Sequence, residues 1–143
     1  FAQAAQARGM PVQVVSDGID YAITRILASH GLGHLPVLAN RLVQTGERSW
    51  QLQSPHASAA CVRASGNCKC ERLAEQRDVH GKVLFVGDGS SDFCVSGKAD
   101  YVLAKARLIG HCQDQGIAHA AFTHFGEALA LMQDITAPAR MTA

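Results

Sequence analysis

Three stretches of this 143-residue chain place reactive side chains where an apolar run gives way to turn residues. In VLFVGDGSSD, Val83 to Asp92, Asp88 follows the apolar run directly, between Gly87 and Gly89, and Asp92 lies four residues on. Two carboxylates converging there make a hard oxygen site suited to Mg²⁺, and the flanking glycines permit a tight turn and close approach of a ligand to the backbone. A capped helix with a solvated Asp92 is the plainer reading. A strand followed by G-D-G-x-x-D is more specific than a lone Asp-Gly turn, which favours the metal. In VVSDG, Val14 to Gly18, Ser16 sits where a strand should end and a helix begin, and a hydroxyl with free backbone N–H groups suits a phosphate oxygen. Taken alone, Ser16 or Asp17 is more simply a helix cap. In Cys68-Lys69-Cys70, the lysine can neutralise phosphate charge as a compact ammonium, although a lone lysine is more simply a surface charge. His56, Cys61, Cys68 and Cys70 together suggest zinc, but C-x6-C-x-C matches no standard finger or ribbon.

The elements that must position these residues follow from hydrophobic periodicity. Val12–Val15, Leu35–Leu42 and Lys82–Val86 read as buried strands, with a further strand at Tyr101–Ala104. Arg48–Leu52 alternates and reads as an edge or hairpin strand. Helices are expected over residues 1–8, 18–29, 69–77, 91–97, 106–115 and 124–132, and a turn-rich loop over residues 53–68. Alternation of strand and helix implies an α/β fold, a parallel sheet covered on both faces by helices. Ligands bind such sheets at the carboxyl ends of the strands, where Ser16 and Asp88 are expected.

Composition bounds the answer. The length suits one domain, and an apolar fraction of 48% supplies a core and argues against disorder. A formal charge of +1, with basic residues scattered, gives no footprint for nucleic acid. No apolar run is long enough to span a bilayer, which argues against a membrane protein. An odd cysteine count of five fits a reduced, cytoplasmic setting better than a disulfide scaffold. Oligomeric state is not legible.

The order serine, lysine, acidic pair resembles the later motifs of haloacid dehalogenase-superfamily phosphatases, across nearly all of residues 10–133. VVSDGIDY, LANRL, SPHASAACVRASGNCKC, VGDGSSDFCVSGKADYVLAK and HFGEAL are similar to the phosphoserine-phosphatase-like branch. Within it they are closest to the 2,3-diketo-5-methylthio-1-phosphopentane phosphatase-like group. The resemblance implies a Rossmann-like three-layer α/β/α core over residues 1–135, with residues 136–143 as a flexible tail. It implies that Ser16 hydrogen-bonds the transferred phosphoryl group and that Lys69 steadies the nucleophile and the phosphoryl charge. It also implies that Asp17, Gly18 and Gly89 line the phosphate pocket, that Asp88 ligates Mg²⁺, and that Asp92 supports the metal shell.

The family attacks phosphorus with the first aspartate of a D-x-D motif at the end of a central strand, and no D-x-D occurs in this sequence. Its small helical cap is also absent. The expectation is therefore a core lacking its N-terminal strand and cap, with the nucleophile outside this chain and the strands at Val12 and Val83 flanking the missing one. The expected activity is Mg²⁺-dependent hydrolysis of a small phosphorylated metabolite through a phospho-aspartyl intermediate, which the chain alone would not carry out. The alternative is a catalytically inactive domain that keeps phosphate or metal binding.

Overall fold

A computed structural model describes residues 1–137, so residues 138–143 of the expected tail lie outside the described residues. The chain forms two compact units, one of Phe1–Met10 with Leu84–Ala143, the other of Pro11–Val83.

In the Pro11–Val83 unit, β1 (Val14–Ile19) runs into α2 (Asp20–Ser29), and β2 (Val37–Gly46) returns parallel to β1. β3 (Ser49–Gln53) then folds back antiparallel on β2 as a hairpin, which realises the alternation read at Arg48–Leu52. The sheet order is β1-β2-β3. A loop leads to α3 (Lys69–His80), which begins at Lys69 and ends on Gly81, whose φ of 79° only glycine adopts readily. β1 is longer than its sequence suggests. It runs on through Gly18 and Ile19, where a helix start was expected, but its register against β2 breaks between Val15 and Ile19. Ser16, Asp17 and Gly18 therefore occupy an irregular stretch of strand rather than a helix cap. The expected apolar face of α2 contributes no buried residue, and Ile26 is 61% exposed.

The other unit carries α1 (Ala2–Gln6), β4 (Leu84–Gly87), a 3-10 turn at Ser90–Asp92, α4 (Phe93–Ser96), β5 (Tyr101–Ala104), α5 (Arg107–Asp114), β6 (Ala120–Ala121) and α6 (Phe125–Thr136). Its strands are all parallel in the order β4-β5-β6. Successive side chains of a strand point to opposite faces, and both faces of β5 are covered. Val102 and Ala104 pack with Leu108 and Cys112 of α5, joined by Phe85, Phe93 and Ile117. Leu103 packs on the other side with Phe122 and Ala128, joined by Phe1, Leu131 and Ile135. Helices on both faces of a parallel sheet are the three-layer arrangement expected from the sequence.

Several boundaries differ from the sequence reading. The helix expected from Ser91 is a 3-10 turn followed by one short α-helical turn, because the backbone first wraps around the Asp92 carboxylate. β6 was missed, since two alanines carry almost no strand signal. Thr136, read as the start of a frayed tail, is the last residue of α6, and its hydroxyl donates back to Met132 O at 2.8 Å. The sheet is also divided, with β1 an edge strand of one sheet and β4 an edge strand of the other. These are the two strands the sequence expected to flank a further one.

Candidate active site

Ser16 and Lys69 belong to the Pro11–Val83 unit, and Asp88 and Asp92 to the other. Each pair is positioned within its own unit.

In the first half, the break in β1 frees its backbone for side-chain partners. The Gly18 N–H donates to Ser16 Oγ at 3.0 Å, so the hydroxyl accepts locally and keeps its own proton to donate. Glycine eases this closeness, because a Cβ at position 18 would stand 3.2 Å from Ser16 Oγ and 3.4 Å from Ile23 Cδ1. Asp17 is held by bonds of its own. Its Oδ1 accepts the Asn67 N–H at 2.9 Å, and its carbonyl accepts Asn40 Nδ2 at 2.7 Å. Asn67, fully buried, adds two more bonds by donating Nδ2 to Leu38 O at 2.7 Å and to Ser16 O at 3.2 Å.

One amide thus ties the end of β1, the start of β2 and the segment entering α3, two residues before Lys69. Lys69 opens α3 and is half-buried. A cation at a helix N-terminus opposes the helix dipole, so its position there is a cost that only an anionic partner or other packing offsets. Sequence reasoning missed Asn67, Asn40 and Gly66 as builders of this half. The available signal was polar residues at the end of a buried strand and just ahead of a lysine. Gly66 is fixed by closeness, since a Cβ there would lie 2.6 Å from Asn40 Oδ1 and 2.9 Å from Ser54 Oγ.

In the second half, β4 ends at Gly87 and the chain turns around Asp92. The Asp92 side chain is buried, and its Oδ2 accepts N–H groups from Asp88 at 2.9 Å and Gly89 at 3.0 Å. A buried carboxylate is tolerated when donors replace its hydration. Asp92 therefore shapes the turn, while Asp88 stands exposed at the strand's carboxyl end. The backbone fixes it further, because Leu108 N donates to Asp88 O at 3.2 Å and Lys105 N to Gly87 O at 2.9 Å. The Gly89 amide is spent on Asp92, and Gly89 has φ of −122° with open space around it, so no steric need for glycine exists there. Gly87 is the constrained position. A Cβ would sit 2.7 Å from both Asp92 Oδ2 and Phe85 Cε1. Gly87→Ala is expected to destabilise the fold by about 1–3 kcal/mol, the usual range for forced overpacking. Denaturant unfolding measures it, and Gly89→Ala in parallel should change stability by less than about 0.5 kcal/mol.

Asp88 is a hard oxygen donor of the kind Mg²⁺ selects, and so fits that ion. Among the described residues no group of three or more His, Cys, Asp or Glu side chains converges to hold a metal. The zinc reading of His56, Cys61, Cys68 and Cys70 thus gains no support. No helix among the described residues is long and apolar enough to cross a membrane.

No protein-family model matches the chain. It is 29% identical over 136 residues to 2-hydroxy-3-keto-5-methylthiopentenyl-1-phosphate phosphatase of an Exiguobacterium species, covering 94% of this chain and 62% of that protein. It is 31% identical over 135 residues to the protein of the same name from Geobacillus kaustophilus, covering 93% of this chain and 60% of that protein. The chain thus spans about 60% of the length of these relatives. Among solved structures, phosphoserine phosphatase in its apo form aligns with a TM-score of 0.62 at 24% identity, covering 90% of this chain and 62% of that one. That likeness bears on the fold alone, and it is the α/β fold with parallel strands described above. Over most of its length the chain is thus similar to 2-hydroxy-3-keto-5-methylthiopentenyl-1-phosphate phosphatases, and it shares the fold of phosphoserine phosphatase.

Proposed function

We propose that the natural protein carrying this chain is a Mg²⁺-dependent phosphomonoester hydrolase acting on a small phosphorylated metabolite. The nucleophilic aspartate lies outside this chain, and residues 1–135 belong to one catalytic core. The relatives' printed name, a 2-hydroxy-3-keto-5-methylthiopentenyl 1-phosphate, supplies the first substrate to try. The observation that carries this reading is similarity to phosphatases running over 94% of the chain, through both halves of the site.

In this reading each residue has a role that its surroundings support. Ser16 donates its hydroxyl proton to a phosphoryl oxygen while Gly18 N–H holds the hydroxyl oriented. Lys69 balances phosphoryl charge with its ammonium. Asp88, assisted by Asp92 through the turn it holds, would ligate Mg²⁺. The ion's contribution when bound is to neutralise charge on the transferring group. Asp17 and Gly18 act from behind, keeping Ser16 and the Asn67 segment in register. All five cysteines are free thiols, which supports a reducing, cytoplasmic setting.

The test is hydrolysis of p-nitrophenyl phosphate and of the named substrate by the natural protein, with and without Mg²⁺. Lys69→Ala is expected to lower kcat/KM about 100-fold, the loss typical of removing one transition-state charge partner. Mg²⁺-independent hydrolysis, or full activity in Lys69→Ala, contradicts the reading. Phosphate binding without turnover would assign the protein instead to the non-catalytic alternative.

A further inference from the structure

The loop before Lys69 holds two thiols that the phosphatase reading does not use. Cys61 lies half-buried near the loop's apex, and Cys68, 5% exposed, closes it. The loop is pinned at its base, where the Cys68 N–H donates to His56 O at 3.0 Å and His56 bridges to Asn67. Two turns fold it inward, with Cys61 N donating to Ser58 O at 3.0 Å and Ala64 N to Cys61 O at 2.9 Å. Ala64 adopts φ of 47°, a left-handed conformation that an alanine resists. The outcome is that the Cys61 thiol is brought to the peptide joining Asn67 to Cys68, where the two thiols influence each other's ionisation. Cys61 Sγ also lies 3.3 Å from Ser65 Oγ, whose hydroxyl donates to Asn67 O at 2.9 Å.

We propose that Cys61 and Cys68 form a reversible redox pair, oxidised by hydroperoxides to a disulfide that closes residues 61–68 into a ring directly before Lys69. The two thiols are chemically unequal in the way such a pair requires. The Ser65 hydroxyl and backbone hold the Cys61 thiol down at about 7, so near neutrality a large share is thiolate, the reactive form. Burial pushes the Cys68 thiol up, which keeps it protonated until its neighbour is oxidised.

The Cys61 thiolate attacks the outer oxygen of the hydroperoxide, and the O–O bond breaks. Cys61 becomes a sulfenic acid, and the leaving alkoxide takes a proton to become an alcohol, or water when the oxidant is hydrogen peroxide. Cys68 then loses its proton and attacks the Cys61 sulfur. The S–O bond breaks, and the departing hydroxide takes that proton to leave as water. Two thiols and one hydroperoxide give one disulfide, one alcohol and one water. A thiol reductant reverses the change.

Trypsin separates the two cysteines, since Arg63 lies between them, and it separates Cys68 from Cys70 at Lys69. The experiment treats the chain with one equivalent of hydrogen peroxide, blocks remaining thiols and maps peptides without reduction. The expected product is peptide 49–63 joined to peptide 64–69, removed by dithiothreitol. Cys94 and Cys112 should stay alkylatable. Alkylation of Cys61 should rise with pH with a midpoint near 7, the value at which half its thiol is ionised. At pH 7 it should outpace alkylation of Cys112, whose thiol burial pushes up, by at least about tenfold. A link to peptide 70–72, or oxidation spread evenly over the five cysteines, overturns the proposal. These readouts need no phosphatase activity, and because they use the unmodified chain, misfolding of a serine variant cannot mask them.

Discussion

Asp88→Asn, assayed in the natural protein, should lower kcat for phosphomonoester hydrolysis by about 100-fold or more and raise the Mg²⁺ concentration needed for half-maximal rate. The substitution keeps shape and removes one charge. Each tenfold in rate corresponds to about 1.4 kcal/mol, and losing a metal's charge stabilisation costs several kcal/mol, so two decades is a low expectation. Stability should hardly change, because the side chain is exposed and the loop is held through the Asp88 backbone rather than its carboxylate. Asp92→Ala should behave differently. It strips the acceptor from the Asp88 and Gly89 N–H groups, so both stability and activity fall. Measuring kcat against Mg²⁺ beside a melting curve for both variants separates a metal ligand from a residue that shapes the turn. An Asp88→Asn protein that hydrolyses and responds to Mg²⁺ like wild type removes Asp88 from the chemistry.

Asn67→Ala should destabilise the Pro11–Val83 unit by about 3 kcal/mol. Its fully buried amide donates to two backbone carbonyls, and each buried polar group left unpaired costs about 1–3 kcal/mol. For a chain of this size the corresponding drop in Tm is about 6–12 °C. Asn67→Asp, nearly isosteric, should be worse. It replaces the donor with a carboxylate facing the Ser16 and Leu38 carbonyls, on the residue whose N–H is bonded to the Asp17 carboxylate. Thermal unfolding of the two variants gives the order directly. An Asn67→Asp protein as stable as wild type would mean that the amide does not hold this loop.

The sequence carried the large features well because they rest on strong, local signals. Lys82–Val86 is apolar after its lysine and bounded by Gly87, and β4 (Leu84–Gly87) forms there with Asp88 following its carboxyl end. The Arg48–Leu52 alternation formed β3, and Lys69 does begin α3. The losses were of another kind. Besides the pocket role expected for it, the Asp17 carboxylate accepts a backbone N–H from fifty residues away, and no local pattern encodes that partner. Asn67 was passed over because an asparagine in a turn-rich loop is ordinarily a surface residue, and only the tertiary fold makes it fully buried. The two flanking glycines were given equal standing, but the need at Gly87 comes from the Asp92 side chain reaching back over it. The approach of Cys61 to the segment before Cys68 likewise depends on turns at Ser58 and Cys61 that the sequence only marks as irregular.

In the proposed function Lys69 and Asp88 serve one phosphoryl transfer. The most direct test is a double-mutant cycle on kcat/KM in the natural protein, using Lys69→Ala, Asp88→Asn and the pair. Groups that stabilise one transition state are strongly non-additive, so the double variant should be little worse than the poorer single one. Losses that simply multiply, or a Lys69→Ala variant with wild-type kcat/KM, would mean that the two residues do not act together.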